Sequence, residues 1–435
     1  MEIDKLQGNL PETMKVEMSD AIQFFLRSNA DQQIRFVIYL SQQLDFDILE
    51  KAVCLSIYQE PIFSYTYKEA KNAAYWKKQD NIKPSMLVDL VKTATPSNEV
   101  EEFLTTAVSP FDFPLVRVRI VRHEHKDILC INMNHTPTDG AGLKEFVKIL
   151  ADSYSKLAVN PNHTCQPNIS GDRSIKQVTK RFSLLQKMKF ARAGFKRPPR
   201  RVSWSFDWGQ SNEDGRNQLA FMKLSSDTFD RVKAFGKRHN ATINDVVIAA
   251  FTRAFVKARQ NNETASKPLI VPVDLRKYAD PSHKRAICSL TGSMIINLET
   301  TIGESFAETL SKTVKETSLK KSTHAEMNML APFLVLSRLM PYAKMKEKVM
   351  QLKMPPIPLL TNVGVINPND INFNGIPVES SFITGVVSYG GYFSMAYSTF
   401  NREITFSIGF CGNTVQQQKV NTFLSNLKSE LEGIE

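Results

Sequence analysis

The 435-residue sequence is most informative first in what it lacks. No apolar run approaches the roughly 18 residues that a membrane-spanning helix needs, and no apolar signal core follows Met1-Glu2-Ile3-Asp4-Lys5. Cysteine is scarce. Cys54, Cys130, Cys165, Cys288 and Cys411 are scattered, odd in number and free of any CxxC pair, so neither a disulfide framework nor a structural zinc site is expected. Internal repeats and low-complexity tracts are absent. The expected protein is reduced, intracellular and cytoplasmic. What is present supports a large core: hydrophobic residues make up 42% and charged residues 23%, which excludes bulk disorder. Fifty-five basic against 44 acidic residues give a net charge of +11, which favours anionic partners: nucleic acid, an anionic membrane, or a phosphorylated cofactor or carrier.

Strand and helix patterns alternate along the chain. Arg35–Leu40 reads as an early strand and Phe46–Ile57 as a helix. Leu115–Val121 alternates apolar and basic residues, and Asp127–Asn134 follows as the next strand, with Leu129, Ile131 and Met133 on one face. After Gly140-Ala141-Gly142, the residues Leu143, Phe146, Val147, Leu150, Ala151 and Tyr154 recur at helical spacing, predicting an amphipathic helix to about Leu157. Residues 160–175 are polar and read as a linker. A basic stretch with no acid follows from Lys180 to Arg201, and the domain boundary falls here: a first unit over 1–175, a basic linker over 176–205 and a second unit over 206–435. In the second unit, Thr242 caps a helix that carries Ile243, Val246, Val247, Ala250, Phe251, Ala254, Phe255 and Ala258 on one face. Leu269–Val273, Leu359–Ile366 and Ile383–Val387 read as strands. Phe393–Phe400 and Ile404–Phe410 form a predicted hairpin around Asn401-Arg402. The methionine-rich segment Met327–Met354 reads as a helical core layer, with contact to an acyl chain or membrane as the functional alternative.

The most informative stretch is Asn132-Met133-Asn134-His135-Thr136-Pro137-Thr138-Asp139-Gly140. It places a histidine at a strand end, an acid four residues on, and a glycine opening a helix. Histidine titrates near neutrality and suits a general base. The plain alternative is a satisfied loop histidine beside an Asp139 that only caps the helix.

This segment resembles the HHxxxDG motif of the chloramphenicol acetyltransferase-like superfamily, which includes condensation domains of nonribosomal peptide synthetases, alcohol acetyltransferases, polyketide-associated acyltransferases and wax ester synthases. Other segments agree in order. Arg35–Ile57 resembles the family's opening strand and helix, and Thr242-Ile243-Asn244-Asp245 resembles the helix start of its second half. Val271-Pro272-Val273-Asp274-Leu275-Arg276 resembles the segment with a structural arginine. Gly292–Leu298 resembles the later G-x-F-V-N-x-L motif with one extra residue before Asn297, and Leu360-Thr361-Asn362-Val363-Gly364 resembles the late S/T-N-x-G strand. The resemblance implies an α/β fold of two acetyltransferase-like lobes forming a pseudo-dimer with a tunnel between them. It implies an acyltransferase that moves an acyl group from acyl-CoA or an acyl carrier protein to a hydroxyl or amine of a small-molecule or lipid acceptor. On this reading His135 is the general base. Asp139 is structural, pairing with an arginine for which Arg276 is the candidate. Gly140 allows close approach at the substrate. Thr361 and Asn362 are candidates for oxyanion or substrate contacts, and as ordinary polar strand residues otherwise. No cofactor is expected, since acyl-CoA or the acylated carrier is a substrate, and no metal is expected.

Asn134 departs from the motif, standing where condensation domains usually carry the first histidine. This argues against a peptide-synthetase condensation role, and it motivates the alternative of a catalytically inactive condensation-like protein that binds acyl carriers or lipids. Phe206-Asp207-Trp208-Gly209 has a different order and place from a D-F-G-W-G motif of related plant enzymes, and reads as a strand start with aromatic packing. His123 and His125 read as a hairpin turn. The Lys180–Arg201 stretch, with Phe182, Leu184, Leu185, Met188, Phe190 and Phe195 interleaved, reads as a solvated linker or as a patch for CoA phosphates, an acidic carrier or anionic lipid. The latter extends the expected location to peripheral contact at the membrane. No nucleic-acid motif accompanies the stretch, so no nucleic-acid partner is expected.

Overall fold

Lys126–Asn134 forms the middle strand of a five-stranded sheet in the computed structural model, which describes residues 10–196, 205–209, 215–259, 267–301, 303–351 and 356–434. The order across this first sheet is Val378–Thr384, Gln33–Leu40, Lys126–Asn134, Val116–His123 and Val88–Lys92. Its alternation is the expected one, but both faces are covered. Leu129, Ile131 and Met133 enter a core with Leu49, Val53, Phe146 and Leu150 from the helices Phe46–Gln59 and Gly140–Val159. Cys130, on the opposite face, packs with Val37, Phe103, Leu219, Phe382 and Val387. Leu219, Phe382 and Val387 come from the second half of the chain, so the two halves share an apolar seam.

A second sheet, of seven strands, runs Thr291–Leu298, Lys267–Asp274, Leu359–Val365, Ser394–Phe400, Glu403–Gly412 and Val387–Ser388, with Arg216–Leu224 also paired to Glu403–Gly412. The predicted hairpin is present: Phe400 pairs with Glu403, and Asn401 and Arg402 take the left-handed backbone of a two-residue turn, with φ of 46° and 65°. The helix Ile243–Arg259 is buried on Val246, Val247, Ala250, Phe251, Ala254 and Phe255 and underlies this sheet with Phe423 and Leu427 of the helix Thr414–Glu432. Among the described residues no helix is long and apolar enough to cross a membrane.

Three sequence expectations need correction. The single strand expected over Ile383–Val387 is two pieces on different sheets: Val378–Thr384 pairs with Gln33–Leu40, and Val387–Ser388 pairs with Glu403–Gly412. The break falls at Gly385, whose carbonyl accepts from the buried Arg35 Nη1 at 2.8 Å, so a long-range cation pins the crossover. Consequently residues 206–435 do not all build on one sheet. Phe206-Asp207-Trp208-Gly209 is not in a strand, although its aromatic packing holds: Phe206 is buried against Phe255, Phe393 and Phe423. Within the 176–205 stretch, Lys176–Thr179 and Leu184–Phe195 are helices, and Arg197, Arg200 and Arg201 lie outside the described residues. In the methionine-rich segment Met327 and Met345 are buried as a core layer requires. Met350 is exposed, and Met354 lies outside the described residues.

Candidate active site

The chain leaves the first sheet at Asn134 and enters the helix Gly140–Val159 through a five-residue loop. Each end of that loop is tied to backbone. The Asn134 side chain is fully buried; Nδ2 donates to the Val108 carbonyl at 2.6 Å and Oδ1 accepts from the Thr136 amide at 2.9 Å. The His135 amide donates to the Gln32 carbonyl at 2.7 Å. His135 is half-buried, and its Nδ1 lies 2.6 Å from the Thr138 carbonyl oxygen. A carbonyl only accepts, so Nδ1 carries the proton and a neutral ring presents its lone pair at Nε2. Asn134 thus acts as a loop brace and does not point to a reacting group.

Asp139 caps the helix, its Oδ1 accepting from the Gly142 amide at 2.9 Å. Its Oδ2 accepts from Arg276 Nη1 at 2.9 Å, the Leu290 amide at 2.8 Å and the Thr291 hydroxyl at 3.0 Å. Burial pushes the Asp139 carboxyl up, but the Arg276 charge and these hydrogen bonds outweigh it and hold the group below the usual carboxylate range. Arg276 donates its other arm to the Cys288 carbonyl at 2.7 Å. The expected Asp139–Arg276 partnership is therefore present and spans the two halves of the chain. All of Asp139's recorded donors are other groups than His135, so these two residues do not form a hydrogen-bonded dyad.

The strand Leu359–Val365 lies against the start of the same helix. A Cβ on Gly140 would sit 2.8 Å from Val363 Cγ1, so only glycine permits this approach. Lys144 Nζ, one turn on, donates to the Val363 carbonyl at 2.8 Å, and burial depresses its pKa. Thr361 lies two residues before Val363 in this strand, whose pairing register shifts between Asn362 and Gly364, while Asn362 is exposed and its Oδ1 accepts from the Gly364 amide at 2.8 Å.

Sequence reasoning missed a second set of supports. Arg173, in the expected polar linker, is buried; it donates to both Asp20 oxygens at 3.1 and 3.0 Å, to the Pro137 carbonyl at 3.0 Å and to the Ile287 carbonyl at 3.1 Å. It therefore holds the His135 loop from below. Glu60 accepts from the Ile287 amide at 2.9 Å and from Asn168 at 2.8 Å, and burial raises its carboxyl to about 7. A lone cation in a polar segment and a glutamate at a helix end carry no local signal of burial. Two cavities, of about 400 and 240 Å³, lie among the described residues, and neither is lined by His135.

The family model described as Transferase family matches residues 83–337, more than half of the chain, and the chain belongs to that family. Two proteins from two strains of Mycobacterium tuberculosis, provisionally named diacylglycerol O-acyltransferases, are 22% identical over 197 residues, 43% of this chain and 38% of theirs. The match thus spans well under half the length of these curated relatives. Among solved structures, trichothecene 15-O-acetyltransferase from Fusarium sporotrichioides superposes with a TM-score of 0.72 at 12% identity, over 97% of this chain and 96% of that one. The first condensation domain of the calcium-dependent antibiotic synthetase gives 0.69 at 14% identity, over 97% of each. The α/β fold is therefore the one that these acetyltransferase and condensation-domain structures share.

Proposed function

We propose that the protein is an acyltransferase, moving an acyl group from acyl-CoA or an acylated carrier protein to a hydroxyl or amine, with His135 as general base. The observation that carries this reading is the Nδ1–Thr138 hydrogen bond, which directs the basic lone pair to Nε2 in a loop braced on both sides. Nε2 would take the acceptor's proton as its oxygen or nitrogen attacks the thioester carbonyl. The tetrahedral oxyanion would then collapse, breaking the carbon–sulfur bond, and the departing thiolate would recover the proton from the imidazolium. An oxyanion needs donors. The Thr361 hydroxyl is the candidate, because its strand meets the Gly140 helix start at Val363 and, among the described residues, the hydroxyl makes no hydrogen bond. The family match and the fold support acyl transfer in general. Two of the relatives are named for O-acyl transfer, which favours a hydroxyl acceptor.

The test follows free thiol release from an acyl-CoA panel with mixed alcohol and amine acceptors. Release that requires an acceptor and falls by about 10²-fold or more in His135→Ala is the expected result. Unchanged turnover in His135→Ala removes the assigned role. Silence of the folded protein with both acyl-CoA and acylated carrier favours the binding-protein alternative.

A further inference from the structure

The helix Leu184–Phe195 is a feature that acyl transfer leaves unused. Its inner side is anchored: Phe190 is buried with Phe182, Leu330 and Ala331, and a Cβ on Gly194 would lie 2.0 Å from the Asn328 carbonyl oxygen, so the helix sits hard against its neighbour. Its outer side is apolar and uncovered among the described residues. Leu184, Leu185, Met188 and Phe195 are 73%, 77%, 60% and 50% exposed. At about 100° per residue, Leu184, Met188 and Phe195 fall within about 40° of one another, with Leu185 at the edge of the same stripe.

Cations flank this stripe. Lys187, Lys189, Arg192 and Lys196 are exposed, and none has a recorded ion pair among the described residues. From Lys176 to Lys196 there are seven Lys or Arg and no acid. The neighbouring helix Ala331–Leu339 adds exposed Arg338 and Leu339, the latter 74% exposed. Beside the first turn, Arg181 and Lys277 line the 400 Å³ cavity with the rings of Phe182 and Tyr278. Lys277 is neutralised by Glu326 at 2.7 Å, whereas Arg181 has no recorded acidic partner among the described residues. A solvated linker helix has no need of a leucine, methionine and phenylalanine stripe in water, and a stripe ringed by unpaired cations needs an occupant that is apolar at its centre and anionic at its rim.

We propose that this face docks on an anionic phospholipid bilayer, with Leu184, Leu185, Met188 and Phe195 in the headgroup boundary and the flanking cations against lipid phosphates. The occupant is lipid because a bilayer supplies apolar depth and negative charge at every rotation of the helix, and the charge is unbroken by any acid. The inference does not depend on the acyl-transfer reading.

The test is co-sedimentation of the full chain with vesicles of phosphatidylcholine alone and of phosphatidylcholine containing phosphatidylserine. Binding to the phosphatidylserine vesicles, weakened by salt and by at least about tenfold both in L184S/L185S/M188S and in K187E/K189E/R192E, is expected. All six positions are exposed, so both variants should keep the wild-type circular dichroism and melting temperature, which are measured alongside. His135→Ala should bind vesicles like wild type, so failure here is separable from failure of the catalytic reading. Absence of binding, or equal binding to both vesicles, overturns the proposal. So does loss on charge reversal alone with L184S/L185S/M188S unaffected, since that describes anion binding without docking.

Discussion

The Arg276 guanidinium donates to Asp139 Oδ2 at 2.9 Å, joining the helix start behind His135 to the second half of the chain. The two residues are separated by 137 positions, and both are largely withdrawn from water. Breaking such a pair leaves one buried charge uncompensated, which costs about 3–5 kcal/mol. Asp139→Asn and Arg276→Gln should each lower stability by about that amount in urea unfolding, while the double variant should lose less than the two added together. Because the carboxyl is held below its usual range, this contribution is present above the ordinary aspartate range and is lost as pH falls through the lowered value.

Gly142→Ala should act on the loop more than on the fold. Its Cβ would fall 2.1 Å from Thr138 Oγ1 and 3.0 Å from Ile287 Cγ2. Thr138 must move, and its carbonyl is what orients the His135 ring. Overpacking of this kind costs about 1–3 kcal/mol. A fall in kcat beyond that expected from the unfolded fraction, measured with thermal melts in parallel, is the expected signature.

Asn134→Ala removes a buried donor and a buried acceptor together, orphaning the Val108 carbonyl and the Thr136 amide. Each orphan costs about 1–3 kcal/mol. The variant should unfold at lower urea with unchanged m-value, and hydrogen exchange at Thr136 should speed up. An Asn134→Ala protein as stable as wild type would show that the amide does not brace the loop.

Glu60 gives a pH dependence of the opposite sign to Asp139. Burial raises its folded carboxyl to about 7, from an ordinary value of 4.5. Between these values the folded protein holds a proton that the unfolded chain does not. The contribution is therefore full below about 4.5 and lost as pH rises through about 7, and its size is on the order of 3 kcal/mol. Glu60→Gln cannot ionise, so its melting temperature should change less than that of wild type between about pH 5 and about pH 8.

The local parts of the candidate site are legible in the residues themselves. The alternation of Leu129, Ile131 and Met133 and the helical spacing from Leu143 to Tyr154 mark a strand and a helix, and the HxxxDG segment falls between them. Asp139 at a helix cap is equally a local matter, because its Gly142 partner is three residues away. These features rest on contacts within a few positions, where periodicity and capping chemistry act directly on the chain.

Other features exist only once distant segments meet. Arg173 reads as a solvated linker cation until Asp20, Pro137 and Ile287 surround it. The Ile383–Val387 run looks like one strand, yet Arg35 draws the Gly385 carbonyl aside and splits it between two sheets. The strand of Thr361 meets the helix start at Val363 only because Gly140 has no side chain. The sequence by itself determined the strand, loop and helix that carry His135, since local hydrogen bonding and apolar periodicity suffice for them. Tertiary structure alone decided how the two halves clamp that loop, because burial of a charge depends on which distant groups are brought to satisfy it.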